Sequence, residues 1–263
     1  MNLGGRTALV TGASGGLGHA IARALARRGA SLVLSARRAE VIEPLAAELG
    51  GRAVTADLSD RAAVERLVDE AGPVDVLVAN AGVPGSGRLG TFSTEEIDRA
   101  LDVNLRAPII LAHLLSEGMA ARGGGHIVFM SSLNGKAAPP GTPIYAATKF
   151  GLRGFAQSLR QDLRPQRVGV SAIFPGFIRD AGFFHDAGVE LPAYVRTKAP
   201  DDVGRAVVEA IENDRPEIDV APLSVKLGTA LARLAPETAA IVQRRLGADR
   251  ISAQFEAGQR DKR

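Results

Sequence analysis

The 263-residue sequence contains no cysteine and no tryptophan, and aromatic residues make up only 4% of it. Without cysteine, disulfide bonds and cysteine-ligated metal sites are excluded, and a reducing compartment is compatible with the sequence. The four histidines are scattered and do not have the spacing of metal ligands. We therefore predict that the protein has no metal cofactor.

The sequence also lacks the features of membrane, secreted and nucleic-acid-binding proteins. No apolar run reaches the length of a membrane-spanning helix, and a strand-like segment begins within about six residues of the start, too early for a signal peptide. The net charge is only +3, and the arginine pairs are scattered instead of forming a basic stripe with interleaved aromatic residues. We predict a cytoplasmic protein with no stable membrane insertion and no nucleic-acid partner.

Short apolar segments alternate along the chain with longer segments of helical periodicity. The strand-like segments are "TALVTG", "SLVLSA", "GRAVTAD", "VDVLVANAG", "GHIVFMSS", "VGVSAIFPG" and "PEIDVAP". Helices are predicted near 17–28, 40–48, 60–70, 94–121, 145–163 and 201–213. Continuous hydrophobic strands are expected where helices cover both faces of a parallel sheet. The pattern predicts an α/β protein: a three-layer, doubly wound Rossmann-type fold with a mainly parallel sheet of about seven strands.

The composition predicts two parts. Residues 1–222 form the nucleotide-binding and catalytic domain, and residues 177–200, irregular and rich in aromatics, form a substrate loop within it. Residues 223–263 form an extension of two amphipathic helices, in which Leu227 and Leu231 share one face. This apolar face either packs on the domain or on another subunit, or serves as a surface for a membrane or an apolar substrate.

The segment "TGASGGLG", residues 11–18, follows the first strand and opens a helix. Glycines at such a turn let the backbone approach a pyrophosphate, which binds at the N-terminus of the helix. The spacing G-x-x-x-G-x-G differs from the usual dinucleotide fingerprint. Taken alone, the segment also suits a tight strand–helix turn without a ligand.

The segment "YAATK" places Tyr145 one helical turn before Lys149, in a chain with only two tyrosines. Side chains four residues apart lie on the same face of a helix. A neighbouring ammonium favours the phenolate, which makes a tyrosine usable as an acid or base near neutral pH. Taken alone, the pair also suits a surface lysine beside a packed tyrosine.

Together these motifs resemble the short-chain dehydrogenase/reductase family, over residues 4–220. Six family motifs occur in the family's order: Gly12, Gly16 and Gly18; Asn80-Ala81-Gly82; Asn104; Ser132, thirteen residues before the tyrosine; Tyr145 with Lys149; and Pro175-Gly176. The resemblance implies an NADP-preferring member of the family with an atypical C-terminal extension.

The resemblance implies an oxidoreductase that acts on CH–OH donors and interconverts a carbonyl and a secondary alcohol by hydride transfer. Tyr145 would be the general acid/base, and Lys149 would lower its pKa and bind the nicotinamide ribose. Ser132 would stabilise charge on the substrate oxygen. Asn104 would hold a water that relays protons between Lys149 and solvent.

The resemblance also implies a set of cofactor contacts: Gly12, Ser14, Gly16, Leu17, Gly18, Arg37, Asp57, Leu58, Asn80, Ala81, Gly82, Tyr145, Lys149, Pro175 and Ile178. NAD enzymes carry an acidic residue where this chain has Ala36. The next residue, Arg37, offers a guanidinium that pairs with a 2′-phosphate, which predicts NADP(H) over NAD(H) unless Arg37 is merely solvated. Asp57 matches the residue that binds the adenine amino group, or it is a helix N-cap.

The sequence departs from the family in two further places. Asp180 stands where a threonine commonly contacts the carboxamide, so we assign it no contact. The other basic position for the 2′-phosphate is occupied here by Gly15. The loop aromatics Phe177, Phe183, Phe184 and Tyr194, with His185 and Leu191, either form a pocket for a hydrophobic ketone or alcohol or anchor the loop.

Two alternatives to this function stay open. One is an NAD(H)-dependent alcohol or steroid dehydrogenase, and the other is a non-catalytic nucleotide-sensing module. A sensor does not need the reactive groups of Ser132 and Tyr145, which argues against the second alternative. The family usually assembles through helices near 106–121 and 145–163, which predicts a homodimer or homotetramer.

Overall fold

The computed structural model describes residues 1–189, 191, 195–245 and 248–259. Seven strands of the described chain form one sheet: β1 (Thr7–Thr11), β2 (Ser31–Ala36), β3 (Arg52–Thr55), β4 (Val76–Ala79), β5 (Gly125–Met130), β6 (Val168–Pro175) and β7 (Glu217–Val220). Their order is β3-β2-β1-β4-β5-β6-β7, and every neighbouring pair is parallel. The predicted doubly wound Rossmann-type fold is confirmed.

The helices of the described chain follow the strands in alternation. They are α1 (Gly16–Ala26), α2 (Ala39–Glu48), α3 (Arg61–Ala71), α4 (Thr94–Leu101), α5 (Ala107–Ala121), α6 (Pro143–Leu163), α7 (Gly182–Asp186), α8 (Pro200–Glu212), α9 (Leu223–Leu234), α10 (Pro236–Arg245) and α11 (Ala248–Gln259). A π-helical segment, Asp102–Arg106, joins α4 to α5. None of the helices in the described ranges has both the length and the apolar character to cross a membrane.

The sheet is buried on both faces. Leu9 and Leu77 point toward the layer of α3, α5 and α6, whereas Val10 and Val78 point toward the layer of α1, α2 and α8. All four side chains are inaccessible to solvent. Successive residues of a strand face opposite sides, so the central strands must be apolar at most positions. This requirement explains the continuous hydrophobic segments in the sequence.

The strand order reverses between β1 and β4, and this reversal opens a crevice at their carboxyl ends. The Asn80 side-chain amide crosses the crevice and donates to the carbonyls of Thr11 and Gly12, at 3.0 and 3.2 Å. The Thr11 hydroxyl oxygen accepts from the backbone N–H groups of Asn80 and Ala81, both at 3.1 Å. These four hydrogen bonds fix the glycine turn relative to β4.

The extension contains three helices in the described residues, so the prediction of two is wrong. Pro236 has no N–H to continue α9, and it occupies the first position of α10, where prolines are favoured. Four leucines of α9 form an exposed apolar row: Leu223, Leu227, Leu231 and Leu234. This face therefore does not pack on the domain.

Candidate active site

A cleft of about 1470 Å³ opens at the carboxyl ends of the strands. Every residue that the sequence assigned to the cofactor lines it, as do Ser132, Tyr145 and Lys149. Asn104 does not line it and is fully buried. Sites for one small molecule usually measure roughly 300–1,000 Å³, so this cleft is large enough for a cofactor and a substrate side by side.

The glycine turn forms the phosphate end of the cleft. Gly12 has φ +64°, and a Cβ atom there would lie 2.7 Å from Ala81 Cα. A Cβ atom on Gly18 would overlap the Gly12 carbonyl oxygen. The N-cap of α1 is Gly15, which supplies no capping side chain, and the first turn contains no acidic residue. The N–H groups of this turn therefore lack a side-chain partner, which suits a bound anion.

The end of the cleft at which the sequence predicts the adenosine, called the adenosine end below, is positively charged. Ala36 ends β2, and the exposed Arg37 and Arg38 follow it. The Arg38 guanidinium donates to the Ser14 carbonyl at 3.3 Å, so it reaches the glycine turn, and Arg99 of α4 lines the same end. From the sequence we named only Arg37. Arg38 could have been included because it directly follows Arg37 in the sequence, whereas no sequence pattern indicated Arg99.

Asp57 stabilises a turn after β3. Its carboxylate accepts from the N–H and the hydroxyl of Ser59, at 3.0 and 2.8 Å. Burial raises the pKa of Asp57, but these two hydrogen bonds and two nearby arginines outweigh burial and lower the pKa below its ordinary value. Helix α3 is capped instead by Asp60, which accepts from Ala62 N at 2.9 Å. The alternative of Asp57 as a helix N-cap is therefore wrong.

Tyr145 and Lys149 meet at the centre of the cleft, on one face of α6. Lys149 Nζ lies 5.5 Å from the centroid of the Tyr145 ring and donates to the Met130 carbonyl, at the end of β5, at 2.9 Å. Ser132 follows β5, and its hydroxyl lies beside the Tyr145 phenol, where it acts to lower the pKa of that group. Ser131 instead donates to the Lys149 carbonyl at 3.1 Å. The structure thus brings Ser132 to Tyr145, as the thirteen-residue spacing predicts.

The pKa of Tyr145 does not follow the prediction from the sequence. Burial raises it to about 12, only partly offset by the hydrogen bond with Ser132. Burial also lowers the pKa of Lys149 to about 8. The loss of water around the phenol sets this direction, while the Lys149 ammonium donates to a backbone carbonyl. At pH 7, Tyr145 is protonated and Lys149 is mostly charged.

Asn104 lies in the π-helical segment. Its side chain accepts from Val83 N at 2.8 Å and donates to Val83 O at 2.9 Å, so both polar groups are used. In an α-helix its backbone carbonyl would accept from residue 108, which is a proline without an N–H. Any water bound by Asn104 is therefore expected at the backbone carbonyl. The spacing of Asn104 and Pro108 was a sequence signal for this irregularity.

Aromatic rings line the substrate end. The Phe183 and Tyr145 rings make an edge contact, with centroids 6.0 Å apart. Phe177 and Phe184 also line this end. The C-terminal extension contributes residues that the sequence did not reveal: Ser224, Val225, Gly228, Thr229, Ile251, Ser252, Phe255 and Gln259. No local pattern shows where a terminal helix docks, so this part of the site had no sequence signal.

Other residues considered from the sequence lie apart from the cleft. Asp180 has φ +64°, is exposed, and pairs with Arg179 at 3.5 Å. His185 and Leu191 are not among the residues that line the cleft, and Tyr194 lies outside the described residues. In the described ranges, no group of three or more His, Asp or Glu side chains is arranged to hold a metal ion.

Comparisons with known proteins agree with this geometry. The family model "short chain dehydrogenase" matches residues 6–187. Ketoacyl reductase HetN from Nostoc sp. is 36% identical over 228 residues, which cover 83% of this chain and 79% of that protein. Nodulation protein G from Rhizobium sp. is 38% identical over 246 residues, which cover 91% and 93% of the two chains.

Solved structures of similar fold also include a member of this family. A short chain dehydrogenase/reductase family protein is 32% identical with a TM-score of 0.76, over 84% of this chain and 97% of that one. A blue fluorescent protein from a metagenomic library, solved with NADPH, is 31% identical with a TM-score of 0.74, over 84% and 98% of the two chains. The chain therefore belongs to the short-chain dehydrogenase/reductase family of oxidoreductases.

Proposed function

We propose that this protein is an NADP(H)-dependent oxidoreductase that interconverts a carbonyl and a secondary alcohol, with Tyr145 as the general acid/base. The proposal rests above all on the Ser132 hydroxyl and the Lys149 ammonium, which meet the Tyr145 phenol in the same cleft as the glycine turn. The ketoacyl reductase and NADPH-bound relatives support the same reaction and cofactor.

The residues of the cleft fit a phosphorylated dinucleotide. The glycine turn leaves no room for a Cβ atom at Gly12 or Gly18, so the backbone itself would contact the pyrophosphate. Arg37 and Arg38 would hold the 2′-phosphate, since Ala36 replaces the carboxylate that would repel it. When bound, the cofactor supplies or accepts the hydride.

Tyr145 and Ser132 would act on the substrate oxygen. Ser132 donates a hydrogen bond that stabilises negative charge on this oxygen, and Tyr145 then transfers its proton to it. An alkoxide is a much stronger base than a phenolate, so a tyrosine with a pKa of about 12 still donates readily during reduction. With this pKa, Tyr145 carries its proton at neutral pH, as the proton donor for reduction must.

Lys149 and Asn104 would restore the proton on Tyr145. The Lys149 ammonium, 5.5 Å from the ring centroid, stabilises the phenolate that forms when Tyr145 has given up its proton. A water on the Asn104 carbonyl would carry a proton from solvent to Lys149. The Asn104 side chain is fixed to Val83 and would hold this carbonyl in place.

The substitution Tyr145→Phe tests the proposal. NADPH and NADH oxidation are followed with a panel of ketones, diketones and quinones, and cofactor affinity is measured alongside. We expect turnover to fall by at least about 100-fold, because the proton donor is lost, while cofactor affinity is retained. Ser31→Ala, which removes a hydroxyl at an exposed position that does not line the cleft, is the control and should keep its turnover.

Two outcomes would contradict the proposal. Wild-type turnover in Tyr145→Phe would show that this phenol is not the acid/base. A wild-type protein that binds NADPH but oxidises it with no compound of the panel would favour the nucleotide-sensing module.

A further inference from the structure

We infer that α11 completes the substrate site of its own chain, and that Phe255 is a specificity-determining residue that selects neutral, apolar carbonyl compounds. The inference rests on the proposed function for the reaction, but it concerns which substrates enter the site.

Helix α11 is attached to the loops that surround the cleft. Its Ser252 hydroxyl donates to the Pro140 carbonyl at 2.6 Å, close to the start of α6. Its Glu256 carboxylate accepts from the Arg88 N–H at 3.2 Å, in the loop after β4. These two bonds connect α11 to loops on the substrate side of the catalytic tyrosine, which places the helix over that end of the cleft.

The end of α11 is attached to α7. The Gln259 side chain is only 1% exposed and donates to the Phe183 carbonyl at 3.1 Å. The Phe183 ring in turn contacts Tyr145. A Cβ atom on Gly258 would overlap the Ala187 carbonyl, so the two helices meet backbone to backbone at this point. The docking of α11 therefore depends on a glycine and a buried amide hydrogen bond.

Phe255 extends the aromatic surface of the pocket. Its ring lies 6.0 Å from the Phe184 ring, which lies 5.3 Å from the Phe177 ring. Ile251 and Val225 line the cleft beside them. A side chain of the substrate that contacts this surface would be removed from water, and apolar groups gain most from such burial.

The charges of the described lining residues disfavour an anionic substrate tail. Among the described lining residues, Arg37, Arg38 and Arg99 lie at the adenosine end, and Lys149 lies beside Tyr145. The eight lining residues from the extension carry no charge. Among the described lining residues at this end, a carboxylate or phosphate on the substrate tail would lose water without gaining a cation, which is unfavourable. We therefore expect a substrate tail that is neutral as well as apolar.

Steady-state kinetics with NADPH test the inference. Methyl ketones of increasing chain length are compared with analogues of equal length that end in a carboxylate. We expect the wild type to prefer the neutral ketones by at least about tenfold in kcat/KM. Phe255→Ala should raise KM for the longer ketones by about tenfold, because a buried phenyl contact is lost, and should leave KM for NADPH unchanged.

Two further variants distinguish the role of Phe255 from a nonspecific loss of structure in the extension. Leu234→Ala, at a leucine of the extension that is 85% exposed, should leave all constants unchanged. Gly258→Ala should raise KM for the ketones like Phe255→Ala, because it pushes α11 away from Ala187. Circular dichroism and thermal unfolding establish that each variant is folded.

An unchanged KM for ketones in folded Phe255→Ala would overturn the inference, as would a wild-type preference for the carboxylates. If the wild type reduces no compound, calorimetric binding of the ketones to the protein loaded with NADP⁺ gives the same comparison. In that case the proposed reaction fails, while weaker ketone binding by Phe255→Ala would still support the assignment of the pocket.

Discussion

At the scale of single residues, we propose that the charges at the end of β2 determine which form of the cofactor the cleft accepts. The Arg37 guanidinium is exposed and lines the cleft, so it is available to a 2′-phosphate. Hydrogen bonds to charged groups contribute about 1.5–3 kcal/mol each. Replacing this guanidinium by a carboxylate removes an attraction and adds a repulsion.

We predict that Arg37→Asp lowers the preference for NADPH over NADH, measured as the ratio of kcat/KM values, by at least about tenfold. Gly15→Arg should raise the ratio, because it places a second cation at the other position that binds the 2′-phosphate. A side chain fits there, since Gly15 has φ −90° and a Cβ atom would lie 3.7 Å from its nearest neighbour. Arg27→Asp, on the exposed side of α1, is the control. If NADPH affinity survives in Arg37→Asp, our interpretation of Arg37 is wrong.

A second residue-scale prediction concerns His126 on β5, which is 2% exposed. Ser171 Oγ donates to the Arg215 carbonyl at 2.6 Å, so it accepts from His126 Nε2 at 2.8 Å, and the imidazole is neutral. Burial lowers the pKa of His126 from 6.5 to about 4, despite the nearby Asp214 carboxylate. The unfolded chain therefore binds the proton more tightly than the folded protein does.

Because the pKa of His126 is lowered in the folded protein, the neutral imidazole contributes fully to the free energy of unfolding above pH 6.5. This contribution is lost as the pH falls toward 4. The loss amounts to roughly 3 kcal/mol. Urea unfolding between pH 7.5 and 4 measures it. His126→Gln should reduce the pH dependence, whereas His113→Gln, at an exposed histidine, should retain it. An equal slope in His126→Gln and the wild type would contradict the assignment.

Local patterns predicted most of the single residues that the structure brings to the cleft. The thirteen-residue spacing distinguished Ser132 from Ser131. It could do so because Ser132 lies beside Tyr145, whereas Ser131 donates to the Lys149 backbone carbonyl of the same helix. The direction of the Tyr145 pKa shift was not predictable, since it depends on how completely the folded chain removes water from the phenol. Asp57 was ambiguous because turns and helix N-termini favour the same residue types.

At the scale of secondary-structure elements, a buried charge cluster connects the segment after β5 to β7. Lys136 is 6% exposed, and its ammonium contacts Glu217 at 2.8 Å and Asp219 at 2.5 Å. Glu217 also accepts from Arg153 of α6 at 2.7 Å. Burial raises the pKa of Glu217, but the hydrogen bonds from Arg153 and Lys136 outweigh it and hold the pKa at about 2.

We predict that Glu217→Gln lowers the free energy of unfolding at pH 7 by about 1–3 kcal/mol, because two cations lose part of their compensation. The variant should also lower kcat, since Lys136 follows the turn that carries Ser132. Glu43→Gln, at an exposed position of α2, is the control and should change stability by less than about 0.5 kcal/mol. Wild-type stability in Glu217→Gln would show that the cluster is not stabilising.

The elements up to residue 222 were predictable because periodicity and burial agree there. Strand β2 spans the predicted segment, Ser31–Ala36. The region near 94–121 was predicted only as helical, and the π-helical segment within it depends on the hydrogen bonds of Asn104 with Val83. These bonds join residues 21 positions apart and leave no local pattern, so the spacing of Asn104 and Pro108 was the available sequence signal for the irregularity.

At the scale of the whole molecule, the predicted homodimer or homotetramer would form through α5 and α6. Leu114 on α5 is 37% exposed and Phe150 on α6 is 42% exposed, which is compatible with an interface there. The leucine row of α9 is the competing surface. The sequence did not distinguish them, because a core-facing and an interface-facing helix show the same periodicity.

We predict that Phe150→Arg converts an oligomer into monomers in multi-angle light scattering, because a charge would be buried in the interface. Leu231→Arg, on the leucine row of α9, should leave the oligomer intact. If instead Leu231→Arg is monomeric and Phe150→Arg is not, the interface lies on the extension. A monomeric wild type would contradict the predicted oligomer.

The attachment of α11 also bears on the order in which the active site matures during synthesis. The glycine turn, Ser132, Tyr145 and Lys149 precede residue 150, whereas Phe255 and Gln259 are translated more than 100 residues later. N-terminal parts of a chain generally fold first as they leave the ribosome. The nascent protein would thus acquire its nucleotide site early and its substrate selectivity only when α11 docks, so premature termination within the extension would yield a chain that binds the cofactor and discriminates poorly among carbonyl compounds.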